Sequence, residues 1–288
     1  MKNFNLKSFC KINLTLNVIK KLNNGYHSIQ SLVTFCGIHD NISIQKNSQF
    51  KKDSILFTGK FKNGINKNDN TITKLLYFLR KKRLLKEKYF KITVKKNIPH
   101  GSGLGGGSSN AATILNFLNY YMSLKINKKE LYKIAAQIGS DTPINLYKKN
   151  TLITGVKDKF FRFNRRLGLN ILIVYPNIIC STKKIFLTNK NFSKLKKKFN
   201  YNKIKKREFI SFLIRSNNDL EAAVIGFYPK IRKIIDLIKS QNGCYFSRIS
   251  GSGSACIGIF SNKRSAIYTQ KLIKLKFPKY WCVVSKTI

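Results

Sequence analysis

Residues 99–109, Pro-His-Gly-Ser-Gly-Leu-Gly-Gly-Gly-Ser-Ser, constrain this chain more than any other stretch, because five of the eleven are glycine. Glycine takes positive φ without strain and has no side chain to hold a ligand off the backbone, so the run can turn sharply and present bare N–H groups. Upstream, residues 89–95 (Tyr-Phe-Lys-Ile-Thr-Val-Lys) alternate bulky apolar or β-branched residues with polar ones, the pattern of a half-buried strand. Downstream, Ala111, Ile114, Leu115, Leu118, Tyr121 and Met122 share one helical face, so Ser108 or Ser109 is expected to open a helix. A strand, a glycine turn and a helix N-terminus in succession form an anion cradle. The free amides and the positive end of the helix dipole favour phosphate, as in the tail of a nucleotide.

Three phosphate motifs compete for this stretch. Gly101 to Gly106 satisfies G-x-G-x-x-G, but a dinucleotide site needs an acid at the end of the next strand, about twenty residues on. The nearest acid, Glu130, falls in Asn127-Lys-Lys-Glu130, a capping box that opens a helix with Leu131, Ile134, Ala135 and Ile138 as its stripe. A P-loop needs Gly-Lys-Ser/Thr, and no lysine closes these glycines. A flexible Gly/Ser linker would not be expected between two well-patterned elements.

At 288 residues the chain is long enough for one large or two modest domains. Strand-like stretches at residues 7–18, 29–36, 41–45 and 54–58 precede a helix over 71–82, and the pattern returns to strand at 151–159. Residues 169–175 read as a buried strand, 208–216 and 228–241 as helices, and 245–249 and 255–260 as strands around a second small-residue turn. The expectation is an α+β protein of two domains, 1–160 and 161–288. Six scattered cysteines without a C-x-x-C, and no metal-spaced His/Cys cluster, suit a reducing compartment. Lacking an apolar leader or a run of eighteen apolar residues, the chain is expected to be cytoplasmic, with no membrane partner.

The formal charge of +45 suggests polyanion binding. Yet the lysines run along almost the whole length with abundant Asn and Ile, which share adenine- and thymine-rich codons, so coding bias accounts for the basicity. Runs such as 194–198 and 203–207 read as solvated faces. No specific nucleic-acid partner is expected, only weak RNA binding at low salt.

With eleven carboxylates in the chain, a general base has few candidates. Asp141 stands out, since Gly139-Ser140 precede it and Thr142-Pro143 fix the turn that follows. Locally it reads as an N-cap for residues 142–147, or as a base.

The pattern P-x-x-x-G-L-G-x-x-S-S resembles the second motif of the GHMP small-molecule kinases. Several other elements resemble one branch, which phosphorylates 4-(cytidine 5'-diphospho)-2-C-methyl-D-erythritol: Cys10-Lys-Ile-Asn-Leu14, Gly25-Tyr-His27, Gly139-Ser-Asp-Thr-Pro143, Asn218-Asp-Leu-Glu221 with Tyr228-Pro229, and Ile249-Ser-Gly-Ser-Gly-Ser254. The resemblance spans nearly the whole chain. It implies a two-domain fold, a ribosomal-protein-like first domain and a ferredoxin-like α/β second domain, with the active site in the cleft between them. It implies ATP as phosphoryl donor, gripped by Pro99, His100, Gly101, Ser102, Gly103, Leu104, Gly105, Gly106, Gly107, Ser108 and Ser109. Mg²⁺ would be held largely through ATP oxygens and water, with no dedicated protein metal site. Asp141 would take the proton of the acceptor hydroxyl, and Lys11 would stand beside Asp141 and the γ-phosphate. Asn13 would contact the acceptor, Tyr26 and Phe186 would stack on cytosine, His27 would hydrogen-bond it, and Gly251, Ser252 and Gly253 would approach its diphosphate. Cys10 for alanine, Ser102 for Ala or Gly, and Lys157-Asp158 for Gly-Glu depart from the branch pattern. A monomer or weak homodimer is expected. A GHMP kinase with another acceptor, such as homoserine, and an RNA-binding protein are the alternatives.

Overall fold

The computed structural model describes residues 2–23, 25–46, 49, 51–155, 159–195 and 200–288. The departures at Lys157 and Asp158 and part of the 194–198 lysine run lie outside the described residues. In chain order the elements are β1 (Asn3–Asn13), β2 (Asn17–Lys21), β3 (His27–Lys46), β4 (Ser54–Thr58), α1 (Thr71–Lys81), β5 (Phe90–Lys95), α2 (Gly106–Tyr121), α3 (Lys128–Ile138) and α4 (Thr142–Asn145). They continue with β6 (Asn150–Gly155), β7 (Lys159–Phe163), β8 (Asn170–Tyr175), α5 (Thr182–Thr188), α6 (Lys206–Arg215), α7 (Glu221–Phe227), α8 (Lys230–Lys239), β9 (Cys244–Ile249), β10 (Cys256–Phe260), α9 (Lys263–Lys276) and β11 (Trp281–Lys286).

The chain forms two compact units, each discontinuous in sequence. The first comprises Met1–Lys11, Ile38–His100 and Gly105–Lys148, and the second comprises Ile12–Gly37, Gly101–Leu104 and Lys149–Ile288.

In the first unit β5 pairs antiparallel with the later half of β3 (Asn41↔Lys95 to Lys46↔Phe90) and parallel with β4 (Ser54↔Lys91 to Thr58↔Lys95). The alternation read from residues 89–95 is realised, with Phe90, Ile92 and Val94 buried and Lys91 and Lys95 exposed. Those inward residues meet Leu75, Leu76 and Leu79 of α1, Ile114, Leu115 and Leu118 of α2, and Leu131, Ile134 and Ala135 of α3 in one apolar core. Asn70 caps α1 through Ile72 N–H and Thr73 N–H, and Asn127 caps α3 through Glu130 N–H. The Glu130 carboxylate pairs with Lys82 at 3.3 Å. Asp53 fixes the start of β5, accepting from Arg80 Nε at 2.8 Å and from Phe90 N–H at 2.9 Å.

In the second unit the early half of β3 pairs with β2 and with β6 (Ile29↔Gly155 to Val33↔Thr151), and β6 pairs with β7. A separate antiparallel sheet has the order β11-β8-β10-β9. β8 is buried from Ile171 to Tyr175, and its Leu172 and Val174 lie in the apolar core that α8 and α9 build on one face of the sheet. Ile231, Ile234, Ile235 and Ile238 form the stripe of α8 in that core.

The structure shifts several expected boundaries. Residues 29–36 and 41–45 belong to one long strand, β3, since nothing between them forces a turn. α2 begins at Gly106, before Ser108, because Gly105 at φ 68° serves as its N-cap. The helices α5, α7 and α9 and the strand β11 were not read from the sequence. The short α5 and α7 are each seven residues, too brief for a 3.6-residue period to show.

Leu115 is fully buried on the helix that carries the cradle. Leu115→Ala is expected to cost about 3 kcal/mol of unfolding free energy, read by urea denaturation at unchanged m-value.

Candidate functional site

The first unit holds the cradle's second half and the candidate base. The amides of Gly106, Gly107 and Ser108 precede the first intrahelical bond, Ser109 N–H to Gly105 O at 2.9 Å. Gly105 supplies no side-chain cap and the first turn carries no acid, so this helix end keeps its donors and its positive potential for an anion. Of the two serines, Ser109 is buried and committed: its hydroxyl donates to Phe9 O at 2.7 Å and accepts from Ser8 Oγ at 2.9 Å. Ser108 is partly exposed, which leaves it the better placed to meet a ligand.

Asp141 occupies the N-cap position of α4, but its carboxylate does not cap the helix. Asp141 Oδ2 instead lies 3.1 Å from Lys11 Nζ, with the lysine side chain 4 % exposed and the aspartate side chain 43 % exposed. The local N-cap reading therefore describes the backbone but not the carboxylate. Pro143 in the first turn sets the direction of the segment, and Asn145 Nδ2 donates to the Asp141 carbonyl at 2.7 Å. Lys11 reaches across Gly105: a Cβ there would sit 2.5 Å from Lys11 Cγ. His100, at the loop's entry, is shifted toward the neutral imidazole by burial and then by the charge of Lys96.

The second unit holds the other expected residues. Asn13 is buried, with Nδ2 donating to Ser31 Oγ at 2.8 Å and its backbone N–H donating to Ser250 Oγ at 3.1 Å. The rings of His27 and Phe186 meet at 5.1 Å between centroids, and Tyr26 stands 67 % exposed, which is not the burial of a core tyrosine. Burial first and Lys21 second lower the His27 pKa, so the imidazole is neutral near pH 7 and offers one donor and one acceptor. Ser252 Oγ lies 2.9 Å from Thr182 Oγ1.

Close approach at the two glycine turns is, in this structure, turn against turn. A Cβ on Gly103 would sit 2.1 Å from Ser250 O, and one on Gly253 would sit 2.0 Å from the Ser102 carbonyl carbon. Ala255 N–H donates to Ser102 O at 3.0 Å. The Asn218-Asp-Leu-Glu221 element, known from the sequence only as a resemblance, anchors this region. Asn218 Nδ2 donates to Ile249 O and Gly251 O, Glu221 Oε2 accepts from Ile249 N–H, and Asp219 accepts from Val18 N–H. Arg248 is buried beneath, donating to Leu14 O and Leu213 O, with its pKa lowered to about 10 by burial. A cavity of about 520 Å³ opens beside Asn218, Asp219 and Glu221, and includes none of the residues expected to bind substrate.

Sequence reading missed the buried pair Lys96–Asp40, which lies beneath the cradle in the first unit. Its signal was available, since Asp40 is one of few acids and falls in a strand otherwise rich in apolar residues.

The models of the GHMP kinases N terminal domain and the GHMP kinases C terminal domain match residues 70–149 and 206–269. A 4-diphosphocytidyl-2-C-methyl-D-erythritol kinase of Pelagibacter ubique is 38 % identical over 288 residues, covering 100 % of both chains. That of Wolbachia pipientis is 32 % identical over 98 % of this chain and 97 % of its own length. Among solved structures, a 4-(cytidine 5'-diphospho)-2C-methyl-D-erythritol kinase superposes with TM-score 0.76 at 20 % identity, covering 98 % of this chain and 99 % of the other. A homoserine kinase from Cytophaga hutchinsonii superposes with TM-score 0.73 at 16 % identity, over 100 % and 95 % of the two chains. These two structural likenesses speak to the fold.

Two measurements test the geometry. Gly105→Ala combines an unfavourable positive φ with a clash against Lys11, and is expected to cost about 1–3 kcal/mol by urea unfolding. Burial is the largest cause raising the Glu221 pKa above 4.5. The folded state therefore holds this proton to higher pH than the unfolded state does. The stability this provides is complete below the ordinary value and is lost as pH rises through the raised one. Unfolding free energies from about pH 4 to about pH 7 should show that loss, and Glu221→Gln should flatten it.

Proposed function

Because the chain belongs to the 4-diphosphocytidyl-2-C-methyl-D-erythritol kinases of the GHMP family, we propose that it transfers the γ-phosphate of ATP to the 2-hydroxyl of 4-(cytidine 5'-diphospho)-2-C-methyl-D-erythritol, a step toward isoprenoids. The observation that carries the mechanism is the Asp141 carboxylate turned from its own helix toward Lys11. Phosphoryl transfer asks the protein mainly to position the partners and to neutralise charge. Asp141 accepts the acceptor's proton as the oxygen attacks, and Lys11 holds Asp141 in place and balances charge on the transferring group. The loop from Pro99 to Ser109 binds ATP through its amides, aided by the dipole of α2. Ser108 would be the chain's own oxygen ligand to Mg²⁺, which when bound neutralises the diphosphate leaving group.

Acceptor recognition falls to the second unit. His27, neutral and in contact with Phe186, presents a hydrogen-bonding edge to cytosine, while Phe186 and the exposed Tyr26 offer π-faces. Asn13 contacts the methylerythritol end, and Gly251, Ser252 and Gly253 serve the diphosphate. The matches at 70–149 and 206–269 support a functional division near residue 160. Among the described residues no helix is long and apolar enough to cross a membrane. A cytoplasmic monomer or weak homodimer, with no specific nucleic-acid partner, completes the reading.

A product assay with the cytidine-diphosphate acceptor, with and without Mg²⁺, tests the function. Turnover of homoserine instead would overturn the acceptor assignment. Asp141→Asn should lower kcat by about a hundredfold or more, as expected for removal of a general base, while ATP affinity stays within a few-fold. A variant with near-normal kcat would remove Asp141 from that role.

A further inference from the structure

Lys96 and Asp40 form an ion pair whose side chains are 2 % and 0 % exposed. Burying two charges costs several kcal/mol each, so such a pair is weak evidence for a stabilising role and asks for another explanation. Its position supplies one. Lys96 follows the last residue of β5, and residues 96–98 are where the chain leaves the sheet for the glycine loop. One oxygen of Asp40 accepts both Asn97 N–H at 2.7 Å and Ile98 N–H at 2.9 Å, and the other accepts from Lys96 Nζ. The same segment is held by Lys96 N–H to Thr58 O at 2.7 Å and by Asn97 Nδ2 to His39 O at 2.9 Å. Lys96 also reaches toward the cradle. A Cβ on Gly106 would lie 3.0 Å from Ile98 Cγ2 and 3.3 Å from Lys96 Nζ, so the ammonium lies under the first turn of α2.

We propose that Asp40 and Lys96 are positioning residues for nucleotide binding: the pair fixes the exit from β5 so that the amides at the start of α2 are held ready for a phosphate. This rests on the reading of the loop as an ATP site. A cation beneath a helix N-terminus opposes the dipole, and the carboxylate cancels it, so the pair contributes geometry rather than net charge. Two neutralising variants separate these contributions because they leave opposite charges behind. Lys96→Met leaves a buried anion under the cradle, and Asp40→Asn leaves a buried cation there. If the pair acted through its field, the first would weaken ATP binding and the second would tighten it. If it acts by holding the loop, both weaken it.

The test is equilibrium binding of ATP to the full chain by calorimetry, alongside thermal unfolding to establish the folded fraction. The expected result is a rise in the ATP dissociation constant of roughly tenfold in both variants, the scale of losing one charge-assisted anchor. Should either variant fail to fold, Asp40→Leu combined with Lys96→Met buries no charge and leaves the Asn97 and Ile98 amides without their acceptor. In this double variant thermal stability should recover while ATP affinity remains about tenfold low. Shifts of opposite sign, or an unchanged dissociation constant in a folded variant, would overturn the inference alone. Failure of the wild-type chain to bind ATP would overturn the kinase reading and this inference together.

Discussion

Lys11 meets Asp141 because residue 105 has no side chain. The lysine stem passes through the space a Cβ at Gly105 would fill, and the positive φ that glycine permits is also what starts α2 at residue 106. One residue thus opens the anion cradle and clears the path for the charge beside it. The energy of the pair is not what matters. With the aspartate side chain 43 % exposed, solvent screening holds its net worth to about 1 kcal/mol or less. Its value is directional: one carboxylate oxygen is engaged by Lys11, and the residue is aimed by Pro143 and by Asn145 at its carbonyl.

A comparable logic governs the second unit. Gly103 and Gly253 let two turns touch backbone to backbone, which a Cβ at either position would prevent. The contact is then fixed from behind by Asn218 and Glu221, whose side chains hold the start of the turn that follows β9, at Ile249 and Gly251. Sequence reading assigned the smallness of residues 251–253 to ligand approach. The structure adds a demand of the fold itself, and the two do not compete, since a turn immobilised by its neighbour is a better-organised surface for a polar ligand.

What was legible followed from periodicity and local chemistry. The β5 alternation, the α3 stripe with its Asn127 cap and the helix expected over 228–241, found as α8, appear where the pattern placed them, because each is long enough or amphipathic enough to show in the sequence. Lys11 and Asp141 are far apart in sequence, and only the resemblance suggested that they meet. Neither residue's local pattern encodes the other, and the local reading of Asp141 favoured a cap. The start of α2 was misplaced because Gly105 acts as an N-cap through its backbone conformation, without the side-chain oxygen that usually marks one. Long-range polar ties such as Asp40 to Lys96 leave no periodic trace at all.

They leave a compositional trace instead. In a chain with 56 basic residues and 11 acidic ones, an individual lysine says little, and an acid says much. Asp40, Asp53, Asp219 and Glu221 each accept a backbone N–H at a place where a strand starts, ends or passes into a turn: Asn97 and Ile98, Phe90, Val18, and Ile249. Such bonds satisfy donors that the sheet ladder cannot reach, and a charged acceptor makes them about twice as strong as neutral ones. Asp141 differs from these four, pairing with a lysine and leaving its own helix uncapped. If coding bias has replaced acids wherever the fold tolerated it, the survivors mark positions where a carboxylate performs a task that asparagine or lysine cannot. On that argument Asp141, which secures no backbone junction and stands beside Lys11, is a carboxylate left free for the proton transfer proposed above.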